Sequence, residues 1–290
     1  MKPPITGEKS LSATEPEANG WTRHELTLRI ASAIVLAVLA IGLNWVGQLP
    51  FAGLVLCVTL VMSWEWGHIV REAAVDTSLV VHALAAGLAT ILAAFGQGVL
   101  ALVALAMGAL IVMPLSFGRS GLISAIGVVY VGLPSVVLVW LRGDESYGFA
   151  AVLFVLLSVW AMDTFALIGG RAIGGPRMWP AISPNKTWAG LVSGMVAGAM
   201  MGSLFATAIG AQWPQLAMLG LVLGGFSQCG DLAESALKRH YNVKDSSRLI
   251  PGHGGFLDRL DGLVAAAMLS GLLALLIDPD APARGLLFGP

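Results

Sequence analysis

The chain has 290 residues, of which 57% are hydrophobic and only 11% are charged. Soluble domains average roughly 25% charged residues, so the composition excludes an ordinary soluble protein and indicates an integral membrane protein. The net charge of −1 provides no general attraction to nucleic acid. The two cysteines lie in separate apolar runs, so a disulfide framework is not expected.

The first 27 residues are polar, and the apolar runs begin after them. Residues 1–27 are expected to form a flexible tail, and we see no cleavable signal sequence. A membrane-spanning helix needs about 20 apolar residues. The runs therefore predict an all-α, polytopic integral membrane protein with about nine transmembrane helices in one domain over 28–290. These helices are placed near 28–47, 50–69, 78–96, 98–116, 121–141, 148–169, 188–210, 215–230 and 262–277.

The basic residues predict the orientation. If the N-terminus is cytoplasmic and there are nine spans, all lysines and arginines except Arg142 and Arg284 fall on the cytoplasmic side. The same arrangement puts segments 171–187 and 231–261 on that side, separated by a pair of helices. We therefore expect these two segments to meet and to form a polar, cytoplasm-facing cavity.

The first polar group follows the eighth apolar run. If residues 230–241 are helical, Asp231, Glu234, Ser235 and Lys238 form one stripe with helical spacing. The stripe is either part of a functional site or an ordinary solvated helix face, on which Glu234 and Lys238 form an i,i+4 ion pair. The sequence leaves both interpretations open.

The second group is a glycine-rich turn, residues 251–255, followed by two carboxylates. Glycines let a backbone approach a ligand closely, and Asp258 and Asp261 fall on one side of a predicted helix start. The carboxylates either interact favourably with the helix dipole or bind Mg²⁺. This ion prefers hard oxygen ligands and often bridges carboxylates to phosphates.

A third group opens the seventh predicted helix. Lys186 and Thr187, shortly after Ser183, combine a cation, hydroxyls and helix-terminal amides, which suits a phosphate. The alternative is a positive-inside lysine beside a helix cap. Asp163, inside the sixth run, is expected to face a polar cavity, whereas Glu65, between two tryptophans, is interpreted as an acid at the membrane interface.

These motifs resemble a known family. The segment from Ser235 to Asp261, with Lys238-Arg239, Lys244-Asp245, Pro251-Gly-His-Gly-Gly255 and Asp258-Arg-x-Asp261, is similar to the signature of the CDP-diacylglycerol synthase (phosphatidate cytidylyltransferase) family. The resemblance extends to 230–235, to Ser183-Pro184-x-Lys186-Thr187, and to Asp163-Thr164 followed by Gly170-Arg171. Together these motifs cover about the C-terminal half. Asn185 and Ala189 depart from the family pattern, where a lysine and a glutamate are expected.

The resemblance implies that CTP and phosphatidate give CDP-diacylglycerol and pyrophosphate with Mg²⁺, a second cation remaining open. It implies metal ligation by Asp231 and Asp258, with Asp261 a third candidate, and catalytic roles for Asp231, Asp258, Lys186 and Lys238. Substrate-binding candidates are Ser183, Lys186, Thr187, Arg239, Lys244, His253, Gly254, Gly255 and Arg259; Asp163, Glu234 and Asp245 are further candidates. The expected partners are CTP, phosphatidate and the bilayer, with no nucleic acid, and a homodimer in the bacterial inner membrane is expected.

Three alternatives remain at this point. The chain could be a transporter or channel with Asp163 in an intramembrane cation site, although transporters place polar groups at the midplane and often have repeated halves. It could also be a nucleotidyltransferase that acts on another lipid phosphate, or a regulatory relative without activity.

Overall fold

A computed structural model describes residues 23–72, 75–116, 118, 120–247, 249 and 254–289. The elements are α1 (Arg23–Val46), α2 (Gln48–Arg71), α3 (Thr77–Ala94), α4 (Gly98–Leu115), α5 (Gly121–Arg142), α6 (Gly148–Ile173), β1 (Arg177–Trp179), β2 (Ser183–Thr187), α7 (Trp188–Ile209), α8 (Trp213–His240), α9 (Leu257–Ile277) and α10 (Pro282–Phe288). The predicted all-α class is confirmed. Most of the predicted tail, residues 1–22, lies outside the described residues.

In the described part of the chain, eight helices, α2 to α9, are long and apolar enough to cross a membrane. The ninth predicted span corresponds to α1, whose apolar part, Ala31–Val46, is shorter. Many large apolar side chains face outward, including Val99 and Leu110 on α4, which are 77% and 65% exposed. Such a surface suits contact with lipid, so the chain is an integral membrane protein.

The helices form two groups that share one core. Helices α2, α3, α4 and α5 pack against one another, and α6, α7, α8 and α9 form the second group. Contacts of α5 with α6 and α9, and of α2 with α9, join the groups. The second group therefore carries the polar motifs, while the first supports one side of them.

Helices α7 and α8 approach closely through glycines. A Cβ on Gly202 would meet the carbonyl group of Leu216, and Gly198 and Gly220 face each other with the same lack of room. Small residues let transmembrane backbones come together in this way. The close contact fixes the hairpin that connects segment 183–187 to the polar end of α8.

Two helix boundaries and one hairpin differ from the prediction. Helix α8 does not end near 230 but continues to His240, and α9 begins at Leu257 rather than near 262. Both extensions carry polar residues that the hydropathy pattern excluded from the spans. Residues 177–187 also form a small antiparallel hairpin, in which Arg177 pairs with Thr187 and Trp179 with Ser183.

Candidate active site

The polar side chains converge where β2, α8 and α9 meet. Lys186, at the end of β2, forms an ion pair with Asp231 on α8. The predicted meeting of segments 171–187 and 231–261 is therefore confirmed. Thr187 has a local role in this structure, since its hydroxyl accepts a hydrogen bond from the Gly190 amide at 3.0 Å and caps α7.

Lys238 links two carboxylates at the polar end of α8. Its Nζ lies 2.7 Å from Glu234 Oε2 and 2.6 Å from Asp258 Oδ1. The side chains of Lys238, Glu234 and Asp258 are 13%, 1% and 7% exposed. The i,i+4 pair exists, but the interpretation of this stripe as a solvated face is wrong, because the pair is buried against α9.

Asp258 also organises the turn before α9. Its Oδ2 accepts hydrogen bonds from the amide and hydroxyl of Ser246, both at 2.9 Å, and from the Gly255 amide at 2.8 Å. Gly254 has a φ of +83°, a left-handed conformation that glycine adopts at little cost. The Gly255 amide, a predicted phosphate donor, is thus directed at a carboxylate in this structure.

Two further carboxylates, Asp163 and Asp261, lie near Asp231. Asp163 on α6 interacts electrostatically with Asp231, Lys186 and Arg259, and its Oδ1 accepts a hydrogen bond from Gln228 at 3.5 Å. Asp261 interacts electrostatically with Asp231, Glu234 and Asp163. The acidic residues of three helices therefore form one cluster, which requires cations to offset it.

The described part of the cluster is not a preformed metal cage. Within the described ranges, no three His, Cys, Asp or Glu side chains converge as a metal site. Mg²⁺ usually takes only one or two carboxylates and completes its shell with water and phosphate oxygens. Asp231 is the more open acid at 31% exposure, and Asp258 Oδ1, with one observed donor, retains a lone pair.

Other predicted residues differ in exposure. Arg239, Lys244 and Asp245 are exposed on and just after the end of α8, and Ser183 is half-buried in β2. His253 lies outside the described residues. Its role therefore stays a prediction.

An apolar cavity reaches the cluster from within the helix bundle. It has a volume of about 710 Å³ and is lined by residues of α1, α2, α5, α6 and α9 together with Phe256. Its lining is almost entirely aliphatic and aromatic, but Ser135, Asp163, Thr164 and Arg259 are polar members. Arg259 is thus shared between the cavity and the charged cluster.

A profile of the cytidylyltransferase family matches residues 27–276. The chain belongs to this family. A phosphatidate cytidylyltransferase of Brucella suis biovar 1 (strain 1330) is 38% identical over 261 residues, 89% of this chain and 96% of that protein. The phosphatidate cytidylyltransferase of Bacillus subtilis (strain 168) is 38% identical over 165 residues, 55% of this chain and 60% of that protein.

Membership of the cytidylyltransferase family makes the chain a nucleotidyltransferase. The predicted family is therefore confirmed. The transporter alternative gains no support. The charged residues gather at the end of α8 and the start of α9, and the chain belongs to an enzyme family.

Sequence reasoning missed the role of Glu65. This residue of α2 is not an interfacial acid, because it is 0% exposed and accepts three hydrogen bonds from residues 247–257. The available signal was a single carboxylate within a long apolar run. Its partners are more than 180 residues away, so the sequence did not indicate them.

Proposed function

We propose that the chain is a CTP:phosphatidate cytidylyltransferase of the bacterial inner membrane. A phosphate oxygen of phosphatidate attacks the α-phosphorus of CTP and forms the new P–O bond. The bond from the α-phosphorus to the bridging oxygen breaks, and its electron pair leaves with pyrophosphate. The observation that carries the proposal is an apolar cavity with Asp163 and Arg259 in its wall, where Asp163 also interacts with Lys186 and Asp231 of the charged cluster.

The cavity is suited to the lipid. A volume of about 710 Å³ lies within the usual range of roughly 300–1,000 Å³ for small-molecule sites. Acyl chains match its aliphatic lining, and the phosphate of the same lipid would then lie near Arg259. Guanidinium groups bind phosphate oxygens in a bidentate manner, which would fix the orientation of the attacking group.

The cations suit the triphosphate. Lys186 is held by Asp231. Arg239, near the end of α8, and Lys244, just after that helix, are exposed. Both substrates are anions, so transfer depends on neutralising and aligning them rather than on a protein nucleophile. A phosphate would compete with Asp231 for Lys186, and this exchange would leave Asp231 available to a metal ion.

For the metal we propose Mg²⁺ held by Asp231 and Asp258, with Asp261 beside them and Asp163 as an outer carboxylate. Bound there, Mg²⁺ would offset charge on the triphosphate and the leaving pyrophosphate. Lys238 keeps Asp258 in place, and Glu234 balances Lys238. A second cation remains a separate proposal that metal titration can test.

The orientation follows from the basic residues rather than from the fold. We propose that the charged cluster and the N-terminus face the cytoplasm, where CTP is available. Labelling of cysteines introduced one at a time at Lys244 and Asp280, with Cys57 and Cys229 replaced by alanine, would test this orientation. The proposed homodimer is tested by the mass of the protein in detergent.

The test is an assay with purified protein, Mg²⁺, labelled CTP and phosphatidate, read as a lipid-soluble cytidine product. Lys186→Ala and Asp258→Asn are expected to lower the rate at least about 100-fold, as losses of transition-state electrostatics do. Asp280→Asn, an exposed carboxylate at the other end of α9, is the matched control. Normal turnover by the two site variants would refute the site, and a product from polyprenyl phosphate but not phosphatidate would refute the lipid.

A further inference from the structure

Glu65 connects the N-terminal helices to the turn that precedes α9. Its Oε1 accepts hydrogen bonds from the Ser247 hydroxyl at 2.6 Å and the Phe256 amide at 2.9 Å. Its Oε2 accepts one from the Leu257 amide at 2.7 Å. A fully buried carboxylate is costly unless it is hydrogen-bonded, and here both oxygens are satisfied.

The three donors belong to the connection between α8 and α9 and to the start of α9. Ser247 is the seventh residue after α8, Phe256 directly precedes α9, and Leu257 is the first residue of that helix. Helix α9 has no side-chain cap of its own at Phe256. Glu65 therefore supplies from α2 both the acceptor and the negative charge that a helix N-terminus favours.

A second carboxylate holds the neighbouring residues of the same loop. Asp258 binds Ser246 and Gly255, each one position from a Glu65 partner. Gly255 packs between Glu65 and Ser246, which is itself bound to Asp258, since a Cβ there would meet both Ser246 Oγ and Glu65 Oε1. The two carboxylates thus hold adjacent residues at the same two places, 246–247 and 255–257.

We infer that Glu65 is a positioning residue for the active site. It holds the Ser247 side chain and the backbone at the start of α9 so that Asp258 stays directed at Lys238, and it acts through these residues rather than on a substrate. The inference rests on the proposed function for its kinetic consequence, but the docking of the loop by Glu65 does not depend on which reaction is catalysed.

Glu65→Gln is the sharpest substitution because it keeps the shape of the side chain. The amide can retain some acceptor capacity, but its NH₂ group would face a backbone N–H, which is a donor against a donor. We expect kcat to fall about tenfold to hundredfold while KM for CTP changes less than about twofold. Loss of hydrogen bonds to a buried charge has this size.

The experiment combines kinetics with hydrogen exchange on the full-length protein. Thr59→Val is the matched control, because Thr59 is also buried on α2 and makes an interhelical hydrogen bond at 2.6 Å to Ser135. Ser247→Ala removes one of the three hydrogen bonds to Glu65. It takes the place of Glu65→Gln in the experiment if that variant does not fold. Exchange is measured for the peptide containing the Phe256 and Leu257 amides.

Support requires a lower kcat and faster exchange of this peptide in Glu65→Gln, a smaller change of the same kind in Ser247→Ala, and neither change in Thr59→Val. Unchanged exchange at the start of α9, an equal loss in Thr59→Val, or a change confined to KM would overturn the inference. If the parent protein makes no cytidine lipid, the proposed function fails, and the exchange data alone decide whether Glu65 docks the loop.

Discussion

Replacement of Lys238 by methionine removes the cation between two buried carboxylates. Glu234 and Asp258, with side chains 1% and 7% exposed, would be left facing each other. Removing one partner of a buried pair costs about 3–5 kcal/mol. We expect the lower end, about 3 kcal/mol, because Asp258 keeps its bonds to Ser246 and Gly255.

The comparison variant is Glu234→Gln, which leaves Lys238 paired with Asp258. It should cost only about 1 kcal/mol, close to the usual value of one hydrogen bond. In the double variant Lys238→Met/Glu234→Gln, the charge repulsion between Glu234 and Asp258 is absent. The losses in free energy of unfolding of the two single variants should therefore not add. A coupling of about 1–2 kcal/mol is expected.

The assay is equilibrium unfolding in mixed detergent micelles, followed by the fluorescence of the nine tryptophans. Asp280→Asn controls for the loss of an exposed charge. If Lys238→Met is no more destabilising than this control, or if the two substitutions are additive, Lys238 is not the buried bridge that the distances indicate.

Four further outcomes are expected. Gly255→Ala places a methyl group against two side chains and should reduce turnover more than tenfold, measured in the cytidine-lipid assay. Gly202→Val should lower the unfolding midpoint because α7 and α8 touch there, while Gly42→Ala, with open space around it, should not. Val58→Trp should fill the cavity and raise KM for long-chain phosphatidate but not for CTP. Removal of Mg²⁺ by EDTA should abolish turnover, and added Mg²⁺ should restore it. Activity that resists EDTA would contradict the metal proposal.

Most of the helices could be predicted because a membrane-spanning helix requires a long apolar run, which hydropathy detects. The extension of α8 was not predicted from hydropathy, since Asp231, Glu234 and Lys238 lower it. In the structure these residues continue the helix because partners on β2 and α9 satisfy them. Periodicity, rather than hydropathy, was the correct signal for this segment.

The convergence of Lys186 and Asp231 was predictable from the charge distribution, which puts both segments on one side of the membrane. The individual partners were not predictable. Asp258 has four donors from three parts of the chain, and Glu65 has its partners more than 180 residues away in the sequence. Pairing over such separations is set by helix packing, which one sequence does not specify.

The ion pair between Glu234 and Lys238 has a consequence for biosynthesis. Because both residues belong to α8, four positions apart, this helix can leave the ribosome and enter the bilayer with these two charges already neutralised. Asp258 emerges later, at the start of the next helix, and meets a lysine that is already in place. The enzyme can therefore complete this charged centre when α9 arrives beside α8.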